Sequence, residues 1–409
     1  MSLTSLTLDR SLQKKIKFLL FIPKFIVKFL LATVGWVLTS ALCFYTQTTV
    51  FDFPETTPFG GENIHNPYQE VKGQVIKANF HAHSKAWGGL TNGHNSSEEL
   101  LDSYQKKGYA FAGISNYFAT DPLNKNFAVY EHGINLMKSH KLAINPSSVE
   151  YFDYPLFQNL SQKQDIINRL RDNDALVALA HPNFMKGHST EDMKQLTGYH
   201  FTEVLNHYRT SEEEWDAALK TGKLSWILAN DDTHDIHNEP THKIWNEIYV
   251  TLPGNNQMTK SLLEGKNYGI NTKNGINDLS IKQLKVIGDS VHFDFGSKAI
   301  VIKVILDGEV FQTLQQSEGT VFFPKNGQYM RLVAESEESS LFTNPLVRYS
   351  DKKPGLVSHI SPVINYPKTY FHRTLFYLAI ALMIMWLTGF RPKMTGGGFR
   401  LKRRQPVYS

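Results

Sequence analysis

Residues able to share a divalent cation recur at four separated points of the chain: His81-Ala82-His83, Glu150, His181 in Ala180-His181-Pro182, and Asp232-Thr233-His234. Imidazole mixed with carboxylate suits Zn²⁺, Mn²⁺ or Fe rather than Ca²⁺, which takes oxygen ligands. A carboxylate such as Glu150 can bridge two ions, an arrangement that activates water and clamps a phosphoryl oxygen. The pair His81/His83 alone would say little, but four points in sequence order say more. Thirteen of the 16 histidines fall between His65 and His242. The single cysteine, Cys43, removes both a thiolate site and an intrachain disulfide. Structural zinc more often uses thiolates in a closed site, so a catalytic or open site is the better reading. Asp231 competes with Asp232 as a ligand, and the Asp-x-His spacing favours Asp232. Neither a phosphate-binding glycine loop followed by Lys-Ser/Thr nor a Gly-x-Ser-x-Gly elbow occurs.

Each point lies in or just after an apolar, strand-like run. The runs are 74–80, 109–115, 142–152, 175–181, 201–207, 224–230 and 246–252, alternating with helical patterns. Seven such runs predict a parallel α/β barrel over residues 71–275, whose strand ends converge on one catalytic face. Ser96 with Glu99, and Ser211 with Glu214, read as capping boxes that open helices. Glu203 and Asn206, at the end of the fifth run, are candidate substrate contacts. Residues 276–351 change to short alternating strands broken by GDS, DGE and KNG turns, which predicts a small β-sandwich. A proline-containing linker follows at 352–372.

The order HAH, GYAFAGISNY, VEY, AHP and DDTH resembles the PHP (polymerase and histidinol phosphatase) superfamily over residues 71–275. The small β domain, with FTNPLVRY near its end, is similar to that of exported members. The resemblance implies a distorted (β/α)7 barrel holding one or two divalent ions (Zn, Mn or Fe) and hydrolysing a phosphate ester with metal-activated water. It also implies that His81, His83, Glu150, His181, Asp232 and His234 are metal ligands, with His181 or His234 also orienting or neutralising the phosphate. The motifs are degenerate in three places. Thr91-Asn92-Gly93 stands where the family has Ser-Asp-Gly, and Ile114-Ser115-Asn116-Tyr117 where it has Ile-Thr-Asp-His. No histidine follows Glu150 closely. His94 is either a replacement ligand or a solvated loop residue.

Charge and hydropathy set the surroundings. Residues 1–28 carry six Lys/Arg and one acid, and 391–409 carry six and none, so the body between them is net acidic although the whole chain is +5. That balance argues against a nucleic-acid partner. The basic ends border the uncharged runs 29–46 and 374–390, each near the length needed to cross a bilayer. The positive-inside rule then predicts a two-span protein: spans within 1–48 and at 373–390, cytoplasmic termini including the basic tail 391–409, and an extracytoplasmic body, periplasmic in a bacterium. The expected partners are the bilayer and a phosphorylated small molecule or envelope component. Two functions follow from these residues: a membrane-anchored metal-dependent phosphoesterase, or a catalytically silent scaffold that binds through the same pocket.

Overall fold

The structure is a computed structural model that describes residues 10–91, 93–252, 254–356, 361–395 and 398–403; Asn92 lies outside the described residues. Residues 49–365 form one compact unit and the two terminal segments another.

In the body, each of the seven apolar runs contributes a strand: Gln74–Asn79, Tyr109–Ala112, Lys141–Ile144, Leu176–Leu179, Phe201–Asn206, Trp226–Asn230 and Ile244–Val250. An eighth, Val129–His132, is buried on both faces and so shows no alternation in the sequence. The strands do not close into the expected barrel. Five of them follow one another in one sheet, in the order Trp226–Asn230, Phe201–Asn206, Leu176–Leu179, Lys141–Ile144, Val129–His132. The other three lie in a ten-stranded sheet. Where a barrel would need continuous ladders, the isolated bridges Ala82–Thr233 and Tyr117–Glu131 join the two sets.

Nor is the arrangement all parallel. Gln74–Asn79 pairs in parallel with Tyr109–Ala112, and Phe201–Asn206 with both of its long neighbours. Lys141–Ile144 is antiparallel to both of its neighbours, and Ile244–Val250 is antiparallel to Gln74–Asn79. The helix-free connection 133–140 turns Lys141–Ile144 back on Val129–His132, whereas Leu176–Leu179 lies antiparallel to Lys141–Ile144 although the helix Leu160–Asp172 stands between them.

The boundary expected at 275/276 falls inside a continuous sheet. Asn267–Thr272 pairs with Ser339–Thr343, which leads on through Tyr329–Glu335 and Val301–Leu306 to the edge strand Glu309–Leu314. A separate three-stranded sheet contributes Leu284, Val291, Phe293 and Val321 to the core that also holds Ile302, Val304 and Leu332. The 352–372 segment is only partly a linker: Val363–Ile364 pairs antiparallel with Phe51–Asp52, tying the two ends of the body together.

Ser96 accepts a hydrogen bond from the Glu99 amide and starts the helix Ser97–Lys106 as its sequence suggests. Ser211 does not cap Glu212–Leu219; its hydroxyl instead accepts from the Asn183 amide at 3.1 Å. Full capping boxes occur at Asn159/Gln162 and Ser189/Asp192.

Two buried histidines distant from the site set a pH dependence. Burial pushes His200 down to about 4, with Arg171 adding to it, and His65 likewise to about 4, with Lys353 adding. Nδ1 of His200 accepts from the Val177 amide at 3.1 Å, so the neutral ring is the one the sheet uses. The unfolded chain takes up protons near pH 6.5 that the folded chain refuses until about pH 4. The stability these rings support is therefore present above about pH 6.5 and lost as the pH falls toward 4. The urea midpoint is expected to be lower at pH 5 than at pH 7.5, and to lose part of that difference in His200→Gln.

The terminal unit contains the helices Arg10–Tyr45 and Tyr366–Thr388. Phe25–Tyr45 (21 residues, mean hydropathy 1.9) and Tyr366–Thr388 (23 residues, 1.4) are long and apolar enough to cross a membrane. The second begins at Tyr366, inside the segment expected to be linker. The helices run antiparallel: the Tyr45 and Phe376 rings are 5.4 Å apart, and Thr39 Oγ1 lies 3.9 Å from Met383 Sδ. A Cβ at Gly35 would meet Leu387 Cδ2 at 2.7 Å, so the bare glycine is what permits the close approach. Within the described part of the tail, Phe390–Thr395 pairs antiparallel with Gly398–Arg403.

Candidate metal centre

Asparagines align the strand ends that carry the site. The Asn79 side chain donates to His81 O (3.0 Å) and accepts from the Asp231 amide (2.9 Å), while Asn230 Oδ1 accepts from the Phe80 amide (2.8 Å). Asn246 Nδ2 adds donations to Ala229 O and Asn230 Oδ1. These amides do the work of the missing barrel ladder. Asp231 is used up here: its carboxylate accepts from Tyr104 Oη and from the His242, Lys243 and Ile244 amides, fixing the return loop.

Five of the six expected ligands come together at these ends, all buried. His81 Nε2 lies 3.1 Å from Asp232 Oδ1, and His83 Nε2 lies 3.3 Å from the same oxygen. His181 Nε2 is 3.9 Å from Asp232 Oδ2, and the His234 ring stacks on His83 at 4.3 Å. Glu150 is not in the cluster; its Oε1 accepts from the Phe152 amide two residues on. The second carboxylate is Glu131, fully buried on the extra strand. Its Oε2 lies 3.2 Å from His83 Nε2 and 3.5 Å from His81 Nε2; its Oε1 lies 3.2 Å from His181 Nε2 and 2.5 Å from His140 Nδ1.

Many of these close atoms are not hydrogen bonded. His81 Nε2, both nitrogens of His83, both of His140, His181 Nδ1, His234 Nε2 and Glu131 Oε2 are buried without a hydrogen-bond partner. Burying so many polar atoms unpaired costs about 1–3 kcal/mol each, so something must meet them. Ligand atoms about 2.0–2.2 Å from a common cation stand roughly 3.0–3.5 Å from one another. In two groups, His81/His83/Asp232 and His81/Glu131/His181, the candidate ligand atoms all lie within 4.8 Å of one another. The donor set therefore fits divalent metal, with Glu131 and Asp232 both reaching across the cluster.

The surrounding hydrogen bonds fix which nitrogen faces inward. His81 Nδ1 lies 3.0 Å from Glu203 Oε1, so its proton is held there and the Nε2 lone pair points at the carboxylates. His234 Nδ1 donates to Asp232 O at 2.9 Å, leaving Nε2 a lone pair as well. Glu203 also accepts from the His181 amide (2.8 Å), Asn230 (2.8 Å) and Asn206 (3.2 Å), and Asn206 donates on to Asp232 Oδ2 (3.1 Å). Glu203 and Asn206, expected to touch substrate, are thus buried supports of the ligands. His181 (φ +29°) and Asp232 (φ +51°) both occupy the left-handed backbone region, a strain the neighbouring bonds must hold.

The charges respond accordingly. Burial would push His81 down, but Asp232, Glu203 and Glu131 hold it well above its usual value. Burial would raise Glu131 and Asp232, but the imidazoles keep both well below the usual carboxylate range. His234 is pushed down to about 4 by burial and by His83 beside it.

No family model matches the chain, and no curated protein matches it. Among solved structures it is similar to a two-domain protein from Bacteroides vulgatus ATCC 8482 containing a predicted PHP-like metal-dependent phosphoesterase. That likeness has 13% identity and a TM-score of 0.39, over 77% of this chain and 99% of that one.

Glu131 and His140, nine residues apart, escape a reading from sequence. The available signal was the doublet of charged and imidazole residues in Val129-Tyr130-Glu131-His132. Asn116 and Tyr117 do differ from ligands. Asn116 exchanges hydrogen bonds with Ser84 (2.9 and 2.8 Å), and the Tyr117 ring stacks on His83 at 5.0 Å. His94 is mostly exposed, 3.8 Å from Asp235, and His237 is exposed beside Glu99.

Proposed function

We propose that this chain is a metal-dependent phosphoesterase, anchored by its two apolar helices with its body outside the cytoplasm. The observation that carries the reading is the set of buried, unpartnered imidazole nitrogens packed around Glu131 and Asp232. The motif order HAH, AHP and DxH supports phosphate esters as the substrate class, and the basic segments that border both apolar runs support the topology.

His81, His83 and Asp232 would hold one ion, and Glu131 with His181 and His140 a second. Bound there, divalent metal supplies a Lewis acid and a water of lowered pKa. The protein's own groups do the rest. Glu203 keeps His81 in the tautomer that presents Nε2, and Asn206 holds the Asp232 carboxylate in register. His234 presents a buried Nε2 without a protein partner to the same cluster. Arg209 lies 4.7 Å above the Phe184 ring, which in turn edges His181 at 5.4 Å, so one exposed cation stands at the rim to meet an anionic ester.

The test uses the full chain in phosphatidylcholine nanodiscs: metal content by elemental mass spectrometry, and phosphate ester hydrolysis with p-nitrophenyl phosphate and its bis ester. One or two tightly held ions are expected, with a chelator cutting turnover at least tenfold and added Zn²⁺, Mn²⁺ or Fe²⁺ restoring it. A folded chain that holds no metal and cleaves neither ester overturns the reading and leaves the silent scaffold.

A further inference from the structure

Beside the metal centre lies a groove of about 440 Å³ whose walls include Trp87, Leu90, Tyr117, Phe118, Ile134 and Lys138. Three of these apolar side chains are set out in solvent: Leu90 is 92% exposed, Ile134 58% and Trp87 51%. Apolar groups gathered round a concavity and left to water are the mark of a surface that meets an apolar ligand. The groove is not separate from the cluster. Tyr117 forms its wall and also stacks on His83 at 5.0 Å and edges His140 at 5.4 Å. The Trp87 indole donates to Tyr117 O at 2.7 Å, which fixes one wall to the other. Lys138 is the cation among these residues, and its carbonyl accepts from the His140 amide at 2.8 Å, so it stands between groove and site.

We infer that the groove receives the apolar chain of the substrate, so that the esters cleaved are those of lipid alcohols. The inference rests on the phosphoesterase reading and narrows it. An ester group at the cluster places its alkyl chain past the Tyr117 ring into the groove, with Lys138 beside the anionic head. A polar sugar or nucleoside phosphate would leave the apolar walls uncovered. The two bilayer-length helices make the choice of a lipid specific, because they keep this chain at a membrane surface where such esters reside.

Binding decides the matter independently of turnover. Ethyl phosphate and hexyl phosphate are titrated calorimetrically into the metal-loaded full chain in phosphatidylcholine nanodiscs, with protein-free discs subtracted. Each methylene taken out of water strengthens binding by about fourfold, so hexyl phosphate is expected to bind at least about tenfold more tightly. The double variant Leu90→Glu/Ile134→Glu changes only exposed positions, which protects the fold, and is expected to bring hexyl phosphate down to the affinity of ethyl phosphate. Equal affinities for the two esters in the unaltered protein overturn the inference while leaving the phosphoesterase reading intact. So does a double variant that keeps the full preference for the longer chain. Failure of both esters to bind overturns the phosphoesterase reading and the inference with it.

Discussion

Glu131→Gln should lose at least one bound metal ion per chain and lower ester hydrolysis by at least about 100-fold, whereas Glu150→Gln should change neither by more than about twofold. The contrast follows from what each carboxylate touches. Glu131 lies within 2.5–3.5 Å of nitrogens on His81, His83, His140 and His181. An amide in its place presents one neutral oxygen and an NH2 group to lone pairs that need a cation or its counter-charge. Glu150 bonds its own loop at the Phe152 amide and sits beside the Tyr130 hydroxyl. Elemental analysis and initial rates on the two variants, with circular dichroism to confirm folding, are sufficient. Metal retained by Glu131→Gln and lost by Glu150→Gln would reverse the assignment.

The second large effect belongs to a residue that touches no reacting atom. Glu203→Ala leaves the His81 ring, the His181 amide, Asn230 and Asn206 without their common acceptor. Removing one side of a buried charged network costs about 3–5 kcal/mol. Metal affinity should fall by about 10- to 100-fold, because His81 is then free to turn or to take the other tautomer. Urea denaturation in the presence of chelator isolates the first effect, and competitive metal titration gives the second. A loss of stability below about 1 kcal/mol would show that water or rearranged amides replace the carboxylate, and would remove Glu203 from its positioning role.

The reach of the sequence varies by element. Apolar runs announced seven strands because each is short, apolar and bounded by turn residues. Their pairing was not announced: the loop 133–140 holds no crossover helix, and Lys141–Ile144 runs antiparallel to Leu176–Leu179 despite the helix between them, so a helical pattern alone does not give strand direction. That His81, His83, His181, Asp232 and His234 gather in one place was legible from motif and order. Glu150 reads as a ligand because it stands near the end of the run 142–152, which looks like one strand. In fact the strand ends at Ile144, where Asn145 takes φ +52° before Pro146. Glu131 was hidden for the converse reason: Val129–His132 is buried on both faces, so no periodicity marks it. The roles of Asn79, Asn230 and Glu203 could not be read at all, because a polar residue in a strand end looks alike whether it meets water, substrate or another strand.

Strand pairing between the two ends of the body has a consequence for how the protein is made. Phe51–Asp52 pairs with Val363–Ile364, and Asn63–His65 with Leu346–Tyr349. Contacts that join residues so far apart in sequence form slowly, since the whole intervening loop must first be closed. A chain emerging from the ribosome has all the metal-cluster residues by His234, yet the ten-stranded sheet beneath them is incomplete until Leu346–Tyr349 has appeared. The body must therefore wait, unfinished and with unpaired strand edges, for nearly its full synthesis, a period in which chaperone protection decides the yield.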